Sequence, residues 1–440
     1  MSNFKPSSQS ALRREWQALQ WGVILLPLNP ILSLLGFLFA LFSTWKSQFR
    51  SIINSQWGQA WGILTLWLLL TTLLAQYKGE SLLGLANFVP YFGVFLAYRL
   101  ILQDFTRLRR LAWYLVLPSF LLIGLGFGQL YGGWATPGWL GGLGTNLIPY
   151  GRPEGRISSL LMYANIFSAY LLMVLPLNVG LGIESFRQWQ RDKSQRTLFR
   201  WLALGLLAIL NLGSIFLTDS RSAWGISFVL AVAFAFYLTW YWLIGLGFSL
   251  AAIVMWASWG PFGKEPLRQI VPSYLWARLS DELYPDRYKT AFRSTQWDFA
   301  WGMMQDRPIF GWGLRNFTPL YQAKMNVWLG HPHNLPLMLL GEIGIPGTLL
   351  FLGIVGMGLY QATRLLWALG KPQGSRRRQS QHLLLMSYLL SFASVMGYNL
   401  LDVTIFDIRV NLMGWIILAA IAGVSQRYQR LWQSSRFRFR

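Results

Sequence analysis

The sequence predicts an all-α polytopic membrane protein, and three observations carry that prediction. Hydrophobic residues fill 54% of the 440 positions and charged residues only 12%, against roughly 25% charge in soluble domains. Several apolar runs approach or exceed the roughly 20 residues that a helix needs to cross about 30 Å of hydrocarbon. None of them alternates with the period of two expected of a barrel strand, and helices satisfy their own backbone in lipid.

Taken in order, the first apolar stretch is interrupted: Pro27 and Pro30, with Asn29 between them, divide 11–46 into two short helices. The next runs are 60–76, 82–98, 111–130, 157–181 and 201–217. The stretch 222–258 is too long for one crossing and splits near Tyr241. The runs 335–360, 383–400 and 409–425 complete the set, for about twelve transmembrane helices. Eleven crossings is the alternative for the N-terminal region. No cleavable signal peptide is expected, because the two prolines interrupt the first run. With no cysteine there is no disulfide framework or thiol nucleophile.

The net charge of +22 would suit nucleic acid, but its placement excludes that partner. Lys and Arg gather in short loops: Arg107, Arg109 and Arg110; Arg187, Arg191, Lys193, Arg196 and Arg200; Arg364, Lys371, Arg376, Arg377 and Arg378; and the tail from Arg427 to Arg440. Such clusters mark the cytoplasmic side of a membrane. The segments 77–81, 131–156, 218–221, 259–334 and 401–408 then fall outside. This divides the chain into a membrane bundle over 1–258, an outer loop with short helices over 259–334, and C-terminal membrane helices with a basic tail over 335–440.

The loop 259–334 is the one long soluble segment, and long loops between membrane helices commonly carry function. An amphipathic helix is expected over Tyr288 to Met304, ended by Asp306-Arg307-Pro308 and by Gly311 and Gly313. Then comes His331-Pro332-His333-Asn334 at the mouth of a membrane helix. Histidine can take and return a proton near neutrality; stacking or helix capping at the interface is the plainer reading. No metal is expected, since the pair lacks a nearby Cys or a third outer histidine, and His382 lies by a basic loop.

Two further places carry charge at depth. Arg221, in Thr218-Asp219-Ser220-Arg221-Ser222, is wedged between apolar runs, where an ionisable group faces a cavity or a partner, Asp219 being the nearest. Its planar fork suits phosphate oxygens. The loop 131–156 ends in Arg152 and Arg156, which line an anionic site or snorkel to headgroups, and Asn165 follows, explicable by helix packing.

Together these residues resemble the O-antigen ligase and polymerase superfamily of bacterial inner-membrane glycosyltransferases. His333-Asn334, nine intervening residues, then Gly344-x-x-Gly347 agree with the family's His-Asn-x9-Gly-x-x-Gly signature. Arg293-x3-Trp297 through Asp306-Arg307-Pro308-x2-Gly311-x-Gly313 resembles the pattern leading into it, and Ser220-Arg221 resembles the family's first arginine site. The resemblance covers roughly 200–350.

It implies a C-type glycosyltransferase-like fold and transfer of a glycan from undecaprenyl diphosphate to a hydroxyl of a glycan, lipid or protein, on the periplasmic face, without metal or other cofactor. It further implies that Arg221 and Arg293 hold the donor diphosphate and that His333 is the base; Arg156, His331 and Asn334 are expected beside them as substrate-binding residues. Ligase and polymerase, including exopolysaccharide polymerase, stay open. An anion transporter, of bicarbonate for example, is the competing class, although no internal repeat or paired broken helices are visible.

Overall fold

The computed structural model describes residues 12–142, 144–282, 292–370 and 375–436. Every regular element among them is helical, and eight helices are long and apolar enough to cross a membrane.

The N-terminal break forms as the prolines require: α1 spans Arg13–Leu25 and α2 Pro30–Ile53, with Asn29 Oδ1 accepting from Leu32 N at 2.9 Å. α3 (Gln56–Leu73) follows, then α4 (Lys78–Leu85) and α5 (Val89–Ile101), which together make one span. The run 82–98 is therefore not one uninterrupted helix, because Pro90 starts a new one. α6 (Phe105–Gly132), α7 (Ala164–Asp192), α8 (Gln195–Leu217), α9 (Arg221–Tyr237) and α10 (Tyr241–Trp259) come next.

α7 starts later than its apolar run, which begins at 157. The N–H groups of Ser158 and Ser159 are drawn to Gln129 Oε1 at 3.2 and 2.7 Å, and a 3-10 turn over Ser159–Leu161 takes the place of helix. The split of 222–258 falls at residues 238–240, where Thr239 has φ +62°.

Between the membrane helices lie α11 (Lys264–Ile270), α12 (Ser273–Leu279), α13 (Arg293–Asp306) and α14 (Phe317–Met325). α13 is the amphipathic helix expected from Tyr288; residues 288–291 lie outside the described residues. The chain closes with α15 (Leu335–Leu369), α16 (Arg376–Asn399) and α17 (Ile408–Arg436). Lys371 and positions 437–440 of the basic tail also lie outside the described residues.

α17 is the most enclosed span, packed by α5, α7, α15 and α16. Trp61 of α3 anchors that core, stacked on Phe92 at 4.4 Å and edge-on to Trp415 at 5.2 Å. α7 and α16 approach through small residues, with Ser394 Oγ donating to Leu172 O at 2.9 Å. α6, α16 and α17 place Arg107, Arg376 and Arg427 at one end of the bundle, where α7 and α15 finish. The opposite end gathers Gly132, Ala164, Leu217, Leu335, Asn399 and Ile408. The described residues of the four basic clusters thus share one end, and His331 and His333 lie at the other.

Candidate active site

α15 begins where Asn334 Oδ1 accepts from Leu337 N at 2.9 Å, an N-cap that fixes where the preceding residue stands. That residue, His333, has φ +53°, a left-handed conformation uncommon outside glycine. Its turn is held from two sides. Trp297 Nε1 of α13 donates to Pro332 O at 3.0 Å, and Asn334 Nδ2 donates to Leu400 O at 3.0 Å. The second bond draws the segment after α16 against the histidine.

That segment supplies Asp402. Its Oδ1 lies 2.9 Å from His333 Nδ1 and accepts from Val403 N at 2.8 Å; its Oδ2 accepts from Asn165 Nδ2 at 2.8 Å. Burial alone would push the Asp402 carboxyl up, since its side chain is only 8% exposed. The hydrogen bond and charge of His333, the charge of His331 and the Val403 N–H outweigh burial and hold it at about 2. Asp402 is therefore an acceptor only, so a neutral His333 ring carries its proton on Nδ1 and offers the Nε2 lone pair.

His331 has the opposite tautomer. His333 N–H donates to His331 Nδ1 at 3.2 Å, leaving the His331 proton on Nε2, which is 3.8 Å from Asp402 Oδ1. Burial first, then the charges of His333 and Arg293, lower its pKa to about 4, against the opposing pull of Asp402. His331, His333 and Asp402 place one donor atom each within 4.8 Å of one another, and they are the residues that a divalent cation would take. The sequence-based reason for setting metal aside, the want of a third ligand, is met by Asp402. The polarity of His331 fits less well: a metal-bound imidazole donates from its other nitrogen, whereas His331 Nδ1 accepts.

The remaining candidates fall into two groups. Arg156 joins the first: its Nη2 donates to Asn165 Oδ1 at 2.7 Å and its Nε to Thr218 O at 2.7 Å, completing a chain Arg156–Asn165–Asp402–His333. Arg293 starts α13 close enough for its charge to act on His331. Arg221 belongs to the second group. Its Nη1 donates to Asp281 Oδ1 at 2.8 Å and to Arg278 O at 3.3 Å, so its expected partner, Asp219, is not the one it takes. Asp219 instead holds Arg278 at 2.9 Å and accepts from Tyr274 Oη at 2.6 Å. The groups meet through Tyr398, whose hydroxyl lies 3.3 Å from Ser220 Oγ and 3.1 Å from Ser168 Oγ. Arg152 is exposed, outside this network.

The glycines of the signature have a structural reason. Gly344 breaks α15 with φ +73°, and a Cβ there would lie 2.0 Å from Ile309 O. The broken ladder leaves backbone groups for 308–313 to use: Ile345 N donates to Pro308 O at 2.8 Å, and Trp312 N and Gly313 N donate to Gly341 O and Glu342 O at 3.0 and 2.8 Å. Gly347 makes room for Trp67, whose Nε1 donates to Ile343 O at 3.0 Å. That docking seats α13, and with it Arg293 and Trp297, beside His333.

The fold and this cluster define a polytopic helical membrane protein with a carboxylate-oriented imidazole at the end of its bundle away from the basic loops. Residues 206–352 match the family described as O-antigen ligase, which supports membership of that stretch in the O-antigen ligase and polymerase superfamily and, at the level of the family, glycan transfer by a membrane enzyme. The match includes Arg221, Arg293, His331, His333, Asn334 and both signature glycines; Arg156, Asn165 and Asp402 complete the cluster from outside it. No curated protein matches the chain.

Proposed function

We propose that the protein is an inverting glycosyltransferase that moves an oligosaccharide or polysaccharide from undecaprenyl diphosphate to an acceptor hydroxyl, on the periplasmic face of a bacterial inner membrane. The observation that carries this reading is the Asp402–His333 pair. A free Nε2 on a fixed ring is what removal of a hydroxyl proton requires, a contribution of about 10²–10⁴ in rate. In one displacement the acceptor oxygen bonds to the anomeric carbon, its proton passes to His333 Nε2, and the bond from that carbon to the diphosphate oxygen breaks. Inversion follows from attack opposite the leaving group.

Arg293 and Arg221 hold the departing diphosphate, where fixed guanidinium groups act most strongly as negative charge grows. Asp281 holds Arg221 in readiness, and the diphosphate takes its place. Arg156 binds no substrate oxygen directly in this scheme; it orients Asn165 and through it Asp402. His331, neutral, keeps the turn of His333 in shape, and Asn334 fixes it to α15.

This scheme assigns 1–258 and 335–440 to a bundle of twelve crossings and 259–334 to a lid over the glycan. α1, with 13 residues, makes the first crossing, though at ~1.5 Å per residue it is short for the task. The test is transfer by the purified protein from a polyprenyl-diphosphate-linked glycan. His333→Ala abolishes product while the folded protein stays in the membrane, and unchanged product overturns the assignment. Arg221→Gln and Arg293→Gln weaken donor binding; wild-type affinity in both removes them from the diphosphate site.

A further inference from the structure

The basic end of the bundle holds a cavity that glycan transfer does not use. α6, α16 and α17 border an open recess of about 510 Å³ there, and Arg109, Arg376, Arg377 and Arg427 line it against one carboxylate, Asp104. Asp104 is already engaged: it caps α6 through Arg107 N at 2.9 Å and lies 4.0 Å from Arg427 Nη1. Arg109 is fixed by Glu184, at 2.9 Å, and by Ser380 Oγ, at 2.6 Å. The side chains of Arg376 and Arg377 make no ion pair or hydrogen bond among the described residues. A second recess of about 160 Å³ adjoins across Arg376 and adds Arg187 and Arg191.

The tendency of basic loops to stay on one side of a membrane accounts for arginines spread over a hydrated surface. It does not account for four guanidinium groups brought from three helices around one recess, where they repel one another. Arg376 and Arg377 also stand in the first turn of α16, whose N-cap Ser375 makes no side-chain bond. Cations are unfavourable at that end of a helix, and an anion removes both conflicts. The rim adds an apolar element, the exposed Leu431, so the recess suits a ligand that joins a phosphate to a hydrocarbon chain.

We infer that this cavity binds the phosphate of an anionic phospholipid headgroup and so ties α6, α16 and α17 together at the basic end. The test uses the full chain in neutral detergent and follows thermal unfolding as phosphatidylglycerol, phosphatidylcholine or inorganic phosphate is added at equal phosphate concentration. Phosphatidylglycerol alone raises the midpoint. The double variant Arg376→Gln/Arg377→Gln needs about tenfold more lipid, or beyond, for half the effect, and Arg427→Gln, from the opposite wall, shifts it the same way. Arg13→Gln/Arg14→Gln, which removes two exposed charges outside the recess, leaves the response at the wild-type level. An equal loss in that control, or no preference for phosphatidylglycerol over phosphatidylcholine, overturns the site. Inorganic phosphate as effective as the lipid overturns the lipid as its source.

Discussion

The two ends of this bundle use charge in opposite ways. At the histidine end Asp402 is buried with three hydrogen-bond donors, Arg156 spans Asn165 and Thr218, and Asp219 holds Arg278. At the basic end Arg376, Arg377 and Arg378 stand exposed in the first turn of a helix. A charge held dry and fixed acts strongly on charge that develops beside it, whereas a hydrated one sets orientation in the membrane or attracts anions over a Debye length. The proposed chemistry falls at the first end and the proposed lipid contact at the second.

The sharpest way to break this comparison is Asp402→Asn. An amide in place of the carboxylate no longer fixes the proton on His333 Nδ1, so transfer falls by about 10²-fold or more while donor KM stays near its wild-type value. Arg191→Gln, at the basic end, leaves the rate within about twofold, as a distant hydrated charge should. Initial rates at saturating donor measure both. A slow Arg191→Gln, or an Asp402→Asn variant that keeps wild-type turnover, would erase the distinction between the ends.

The next effect is on folding. Gly344→Ala forces a Cβ against Ile309 O at a residue with φ +73°, and we expect a loss on the order of 3 kcal/mol. Gly356→Ala, in the same helix with open space around the new Cβ, is neutral or slightly stabilising. Thermal unfolding in detergent compares the two, and equal midpoints would mean that the docked loop 308–313 does not depend on the break in α15.

How far the sequence reveals each end follows from how each is built. Helix positions rest on runs of apolar residues, a local property, so the breaks at Pro27–Pro30 and near Tyr241 are readable in order along the chain. The basic end is readable for the same reason, since its arginines cluster within a few residues. The histidine end is assembled from distant pieces. His333 and Asn334 carry a spacing pattern, but Asp402, 69 residues further on, is one of two acids in a short loop, and nothing in the sequence separates it from Asp407, which pairs with Arg409. The one available signal was that 401–408 should share a side of the membrane with His333. Asn165 reads as a packing residue because, although Arg156 stands nine residues before it, its other partner, Asp402, lies 237 residues away. The actual partners of Arg221 and Asp219 lie in α12 and just after it, and no periodicity ties them together.

His331 provides a smaller effect with a definite sign. The folded protein keeps this imidazole neutral down to about pH 4, whereas an unfolded chain takes up the proton near pH 6.5. Stability from this group is complete above 6.5 and is lost as pH falls towards 4, by roughly 3 kcal/mol at most. Asp402, held at about 2, moves in the other register, its contribution fading only below about pH 4. Unfolding midpoints measured between pH 7 and 4.5 should therefore fall, and His331→Gln should flatten the slope. A slope unchanged by that substitution would assign the titration to some other group.

The smallest effect separates two duties of one side chain. Asn334 caps α15 through Oδ1 and reaches Leu400 O through Nδ2. Asn334→Asp keeps the capping oxygen and loses the donor, so its stability stays close to wild type, while Asn334→Ala loses both and costs about 1 kcal/mol. If the bond to Leu400 positions Asp402 against His333, both variants slow transfer by a similar, modest factor of roughly tenfold, although only one unfolds earlier. If capping were the whole of its role, Asn334→Asp would transfer glycan at the wild-type rate, and the loop bearing Asp402 would have to be held by Asn165 and its own backbone alone.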